Sequence, residues 1–295
     1  MSSPHELPPP PSTPVGPSFP GSVARIYDLS FGQMLWSRRT VFMVLVVGGP
    51  VAVALMLRLL VSMDLFEAGG EIDGRPVTID GPTIFGLMIW GFYLSFSVPL
   101  LGVFYGTSLI ADEVEDRTIT YLFTRPVPRG AVLVGKYLAY LVCAGLLVLP
   151  SVVLVFFLVV PLLGGSVGAG FPDLLKDLAL LAVGLAVYGA LFALVGALFK
   201  RPLLTGLVFI FGWEPVVIMV PGYMKRFTVS YYLQGLVPHA MPEDGGVTSL
   251  VLRVLQANEI VPSATVGLVG LAVIVIGGLA VAVRLVDRRE YVLEQ

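Results

Sequence analysis

One acid sits where hydrocarbon is the expected surrounding. Glu214 lies between Trp213 and Pro215 in an apolar run that carries no other charge. An ionised carboxylate at that depth is costly, so it must bind a cationic group, relay a proton or pair with a neighbouring span. Pro215 removes one amide donor, so Glu214 can also cap a broken helix. A structural role is favoured over substrate contact. A proton relay needs a second acid well inside another span, and none is expected.

Two other constellations are weaker. Gly130-Ala131-Val132-Leu133-Val134-Gly135-Lys136 fills seven places of a phosphate-binding loop, but Tyr137 stands where Ser or Thr must ligate Mg²⁺. The stretch also opens a membrane-length apolar run instead of following a strand. Its glycines suit close helix packing, and Lys136 suits the anchoring of a span. Met219, Met224, His239 and Met241 stand near Glu243 and Asp244. Thioether and imidazole ligands take Cu(I), but the spacing is loose and Met is common apolar filler. No metal and no cofactor are therefore expected. Cys143 is the single cysteine, which excludes an intrachain disulfide or cysteine zinc site. His5 and His239 are far apart in sequence, and no intramembrane Ser–base or acid pair is evident. The chain is expected not to be an enzyme.

The elements that hold these residues are set by composition. Of 295 residues, 56% are hydrophobic and 13% charged, against about 25% charged in a soluble domain. The net charge of −2 excludes no fold but gives no footprint for nucleic acid. Apolar runs of spanning length fall at about 40–61, 82–110, 132–163, 176–199, 203–222 and 262–284. The fold class expected is all-α integral membrane with six transmembrane helices. Ser37-Arg38-Arg39 before the first run imitates an export signal, but the apolar run continues past the cleavage-like Ala52-Val53-Ala54.

Eight prolines crowd residues 1–20, and a disordered cytosolic tail is expected over 1–21. From Ser22 to Arg39, Val23, Ile26, Tyr27, Phe31, Met34 and Leu35 recur at helical spacing. That pattern suggests an amphipathic helix in the membrane interface. The permease domain then covers 22–289, and 290–295 is a second short cytosolic tail. With the N-terminus inside, twelve of the 18 Lys and Arg fall on the inner side and six on the outer. The positive-inside rule then makes both termini cytosolic. The longest outer loop, 223–261, holds Tyr231–Val237 and Ser249–Leu255. Both are too short to span and read as interfacial or re-entrant pieces, either an outer cap over a pathway or plain loop packing.

The densest polar stretch runs from Ala111 to Tyr137 between the second and third spans. Asp112, Glu113, Glu115, Asp116 and Arg117 precede Thr118, Ile119, Tyr121, Leu122 and Phe123, and then Arg125, Pro126, Pro128 and Arg129 follow. A short helix here exposes an apolar patch rimmed by charge, the composition of a binding surface.

These residues resemble the pattern of type-2 ABC-transporter permeases. The match runs through Gly106–Leu122, the corner Arg125-Pro126-Val127-Pro128-Arg129, and Gly135-Lys136. Trp213-Glu214-Pro215, Pro221-Gly222 and Tyr231-Tyr232-Leu233 are similar to the fifth span and outer loop of one branch. Arg117 stands where Gly is common. The resemblance implies an elbow helix over Ser22–Trp36 and a coupling helix over Glu113–Phe123 that enters a cleft on a separate ATPase. It implies ATPase contacts at Glu113, Glu115, Asp116, Arg117, Thr118, Tyr121, Leu122, Phe123, Arg125 and Arg129, with a second inner contact at Lys200 and Arg201. Two ABC ATPase copies that bind ATP and Mg²⁺, a second permease copy in a homodimer, and membrane lipids are the partners implied. The function expected is export of a lipid, drug or similar substrate across the cell membrane. Alternatives are an ion- or proton-coupled transporter using Glu214 and a non-transporting assembly subunit.

Overall fold

The computed structural model describes residues 18–65, 69–72, 75–78, 80–110, 128–219, 223–237 and 262–288. The chain begins with α1 (Phe19–Leu35), which starts inside the stretch expected to be tail, with Pro20 in the first turn. A two-residue break leads to α2 (Arg38–Ser62). Ser37 is the N-cap: its hydroxyl accepts from Thr40 N at 3.2 Å.

A short antiparallel ribbon follows, β1 (Gly69–Ile72) paired with β2 (Arg75–Thr78). It is a departure from the all-helical expectation. The next helical run is α3 (Gly81–Ile110), capped by the Asp80 carboxylate on Thr83 N at 3.1 Å. Then come α4 (Arg129–Val159), α5 (Val167–Leu198), the shorter apolar α6 (Pro202–Val217), α7 (Val229–Gln234) and α8 (Ala264–Arg288).

Five of these helices are long and apolar enough to cross a membrane: α2, α3, α4, α5 and α8. The remaining expected span, 203–222, corresponds to α6, which is shorter; residues 220–222 lie outside those described. The fourth expected span began at 176, whereas α5 begins at Val167 behind the Ser166 N-cap. Lys176 therefore lies on a helix, paired with Asp173 one turn back at 2.8 Å. An exposed i,i+3 pair of this kind is compatible with helix and needs no loop.

Successive long helices run antiparallel. Along α3 and α4, Phe85 meets Phe156, Tyr93 bonds Ser151 at 3.0 Å, and Tyr105 lies 6.0 Å from Tyr140. Rising residue numbers on one helix thus meet falling numbers on the other. All five of these tyrosine and phenylalanine rings on α3 and α4 are in the core. Each buried phenol finds a partner, as it must in a low-dielectric interior.

Glycines set the closest approach. A Cβ at Gly102 would fall 2.7 Å from that of Tyr188, and one at Gly106 would fall 2.9 Å from that of Phe192. This small-xxx-small seam lets α3 and α5 pack nearly backbone to backbone. Gly135 does the same for α4 and α1, where its Cβ would fall 2.9 Å from Ile26 and from the Val23 carbonyl. The close-packing role expected of the phosphate-loop look-alike is what that glycine fills.

Two helices widen into π-turns, at Ile89–Ser97 and Gly102–Gly106 in α3 and at Phe209–Trp213 in α6. Pro99 closely follows the first of these and Pro215 the last. Proline has no N–H to give to the preceding turn, and a wider turn absorbs the misfit. In α3, Ser95 Oγ donates to the Trp90 carbonyl at 2.8 Å and satisfies part of the opened ladder.

Candidate functional site

The π-turn in α6 delivers Glu214 to the interior, where it is 5% exposed. Three groups donate to its carboxylate. Tyr188 Oη on α5 lies 2.7 Å from Oε2, Ser230 Oγ on α7 lies 3.1 Å from the same oxygen, and Val229 N lies 3.1 Å from Oε1. Tyr188 and Ser230 also lie 3.3 Å from each other. Each carboxylate oxygen therefore has at least one donor, as a buried carboxyl group requires when removed from water.

Glu214 caps a helix, but not its own. Its Oε1 takes the first amide of α7, fifteen residues further on. The cap of α7 is completed by Thr228, whose hydroxyl accepts from Tyr231 N at 3.4 Å and donates to the Lys225 carbonyl at 2.7 Å.

The rest of α7 is wedged between two helices. Leu233 is buried beside Gly184 of α5. Tyr232 lies over Gly267 and Gly270 of α8, where a side chain on either glycine would collide with it. The apolar Tyr231–Val237 piece of the long loop is thus a short helix packed among the long ones.

Depth follows from helix rise. Tyr188 stands about 15 Å from the Leu198 end of α5, and Glu214 about 18 Å from the Pro202 end of α6. Val229 and Ser230, from the stretch between α6 and α8, meet the pair at that level.

A second acid is also buried: Asp177 is fully enclosed on α5. About 16 Å of helix rise separates it from Tyr188, too far to share a proton directly with Glu214. The expected span starts at 176, which places Asp177 at its rim.

At the opposite end of α5, Lys200 and Arg201 are both exposed in the turn to α6. Glu113, Glu115, Asp116, Arg117, Thr118, Tyr121, Leu122, Phe123 and Arg125 lie outside the described residues, and Arg129 is described only as the first residue of α4. The helices that flank that segment are held together. Tyr105 near the end of α3 bonds Thr40 of α2 at 2.6 Å and packs, tilted, against the ring of Tyr140 of α4. The Thr40 hydroxyl also donates to the Met34 carbonyl of α1. Among the described residues, no three His, Cys, Asp or Glu side chains converge to hold a metal; His239, Met241, Glu243 and Asp244 lie outside them.

A family model for ABC-2 family transporter proteins matches residues 40–236, from the start of α2 through α7. The chain belongs to the ABC-2 transporter family. It is a type-2 ABC-transporter permease, a multi-pass membrane component that works in general with an ABC ATPase and is not itself the catalytic subunit. Comparison with curated proteins finds no match. The ABC-2 family region contains the whole Glu214–Tyr188–Ser230 cluster and both helices that flank 111–127.

Proposed function

We propose that this ABC-2 permease exports a substrate driven by ATP hydrolysis on a separate ATPase, which it engages through residues 113–123. The observation that carries the reading is the architecture around that segment. It is strung between α3 and α4, two helices with extensive buried faces, and Tyr105 ties both to α2 where they meet it. Force applied to 113–123 therefore reaches packed helices and not a loose loop.

In the same reading Lys200-Arg201 is the second ATPase contact, α1 is the elbow helix and α6 is the sixth span. The end of the bundle that carries Arg38, Arg39, Lys200 and Arg201 faces the cytosol of the cell, as the positive-inside rule favours. Two permease copies pair with two ATPase copies. Apolar walls suit a lipid or drug-like substrate.

Co-purification tests it. The wild-type chain should retain a soluble ATPase bearing a complete GxxxxGK[ST] motif. Leu122→Asp with Phe123→Asp should lose it while the chain stays folded in detergent. Retention of the ATPase by that double variant would refute the docking assignment.

A secondary transporter driven through Glu214 is the less supported alternative. The Glu214 carboxylate is engaged by Tyr188, Ser230 and Val229, the environment of a structural acid.

A further inference from the structure

We infer that Glu214 is a latch: it holds residues 223–237 down among α5, α6 and α8 and thereby keeps the far end of the bundle closed. The far end is the one that carries Ser62, Gly81 and Ala264.

Four observations bear on this. The carboxylate joins three separate elements, since its donors come from α5 and α7 and its own backbone is α6. The segment it holds is too short to span, yet its first helical turn reaches Glu214, beside Tyr188 about 15 Å along α5 from its Leu198 end. The rest of the grip on α7 is apolar: Tyr232 lies against Gly267 and Gly270, and the buried Leu233 sits beside Gly184. Finally, Tyr188, Ser230 and Val229 share this one carboxylate, so its loss takes the acceptor from all three together.

Closed, the segment covers the faces of α5 and α8 that carry Gly184, Gly267 and Gly270. Raised, it uncovers them and leaves Tyr188 and Glu214 at the floor of the opening. The contacts stand on this chain alone. Only the naming of that opening as an exit rests on the permease reading.

Thiol accessibility tests the latch. In a Cys143→Ala chain reconstituted without ATPase, Leu233→Cys provides a buried probe on α7. A membrane-impermeant maleimide is applied to each face in turn. With Glu214 present, labelling should be slow. Glu214→Gln removes the charge and one acceptor oxygen, so that Tyr188 and Ser230 can no longer both donate to it, and labelling from the far face should rise about tenfold to a hundredfold. Tyr188→Phe and Ser230→Ala each remove one donor and should raise it by less, in the same direction. Leu236→Cys, read in parallel, should show the same ratios, so that packing lost with Leu233 does not set the result.

Equally fast labelling with Glu214 in place would overturn the latch. So would unchanged labelling in all three variants, or labelling from the basic face only. If Glu214→Gln does not yield folded protein, Tyr188→Phe and Ser230→Ala decide, and no change in either overturns it. Failure of ATPase co-purification would sink the docking proposal and leave these rates untouched, so the two failures are distinguishable.

Discussion

Tyr188 donates its hydroxyl hydrogen to Oε2 of Glu214 across 2.7 Å, joining residues 26 apart on the antiparallel helices α5 and α6. Both are buried. Tyr188→Phe keeps the ring and removes only the donor, and interhelical hydrogen bonds in membranes are worth about 0.6–2 kcal/mol. A loss of about that size is expected in unfolding assays in mild detergent. Ser230→Ala should cost a similar amount. The two should be non-additive in a double-mutant cycle, because both donors share one oxygen and also lie 3.3 Å apart.

Glu214→Leu should be worse than either. It fits an apolar side chain into the same space but strands Tyr188 Oη, Ser230 Oγ and Val229 N, each at about 1–3 kcal/mol. The unfolding midpoint should fall further than in Tyr188→Phe. A midpoint equal to wild type would mean that those donors find other acceptors, and that the carboxylate is not what organises them.

The length of the apolar runs made five crossings legible, and the polarity of Glu214 singled it out. Its partners were not legible. Tyr188 sits in an apolar run where tyrosine reads as filler, and Ser230 sits in a loop. Only the need of a buried phenol for an acceptor hints at either. The start of α5 was misplaced because Asp173 and Lys176 look like a loop boundary until one sees them pair along a helix. The β1–β2 ribbon has strands of only four residues in a stretch between two apolar runs, too short for a periodic signal to stand out. For residues 113–125, the chain pattern and family resemblance remain what speaks for ATPase docking.

Glycine positions separate packing from propensity. Gly102→Ala places a methyl group 2.7 Å from the Tyr188 Cβ, so α3 and α5 must part. Overpacking of this kind typically costs about 1–3 kcal/mol, and here it also displaces the ring that bonds Glu214. Gly48→Ala and Gly49→Ala on α2 meet nothing within 4 Å. They should be neutral or slightly stabilising, since Ala is favoured over Gly by up to about 1 kcal/mol within a helix. Thermal unfolding of the three variants side by side should rank Gly102→Ala lowest. Equal midpoints would mean that the α3–α5 seam yields without strain.

At the Gly135 seam the expected effect is local. Ile26 and the Val23 carbonyl stand against Gly135 on α4. Gly135→Leu should push α1 off that face while the α3–α5 core stays packed. Limited proteolysis should then cut near α1 sooner, with little change in the midpoint of the remaining chain. A cleavage pattern identical to wild type would show that α1 does not depend on this contact.

The Thr40–Tyr105 bond gives a test that connects the two ends of the bundle. At 2.6 Å it ties α2 to the last turns of α3, and the Tyr105 ring also packs, tilted, against Tyr140 of α4. Tyr105→Phe preserves that ring contact and cuts the tie to α2. If work enters through 113–123, it arrives on α3 and α4 first, and α2 follows only as far as this junction is stiff. With the ATPase bound, nucleotide should change labelling of Leu233→Cys in the wild-type background, and Tyr105→Phe should weaken that change. Co-purification of the ATPase should be unaffected, because Tyr105 is buried and lies outside the docking segment. A full nucleotide response in Tyr105→Phe would place the transmission path through α4 alone, whose contacts with α5 include the Tyr140 hydroxyl on the Leu185 carbonyl at 2.8 Å.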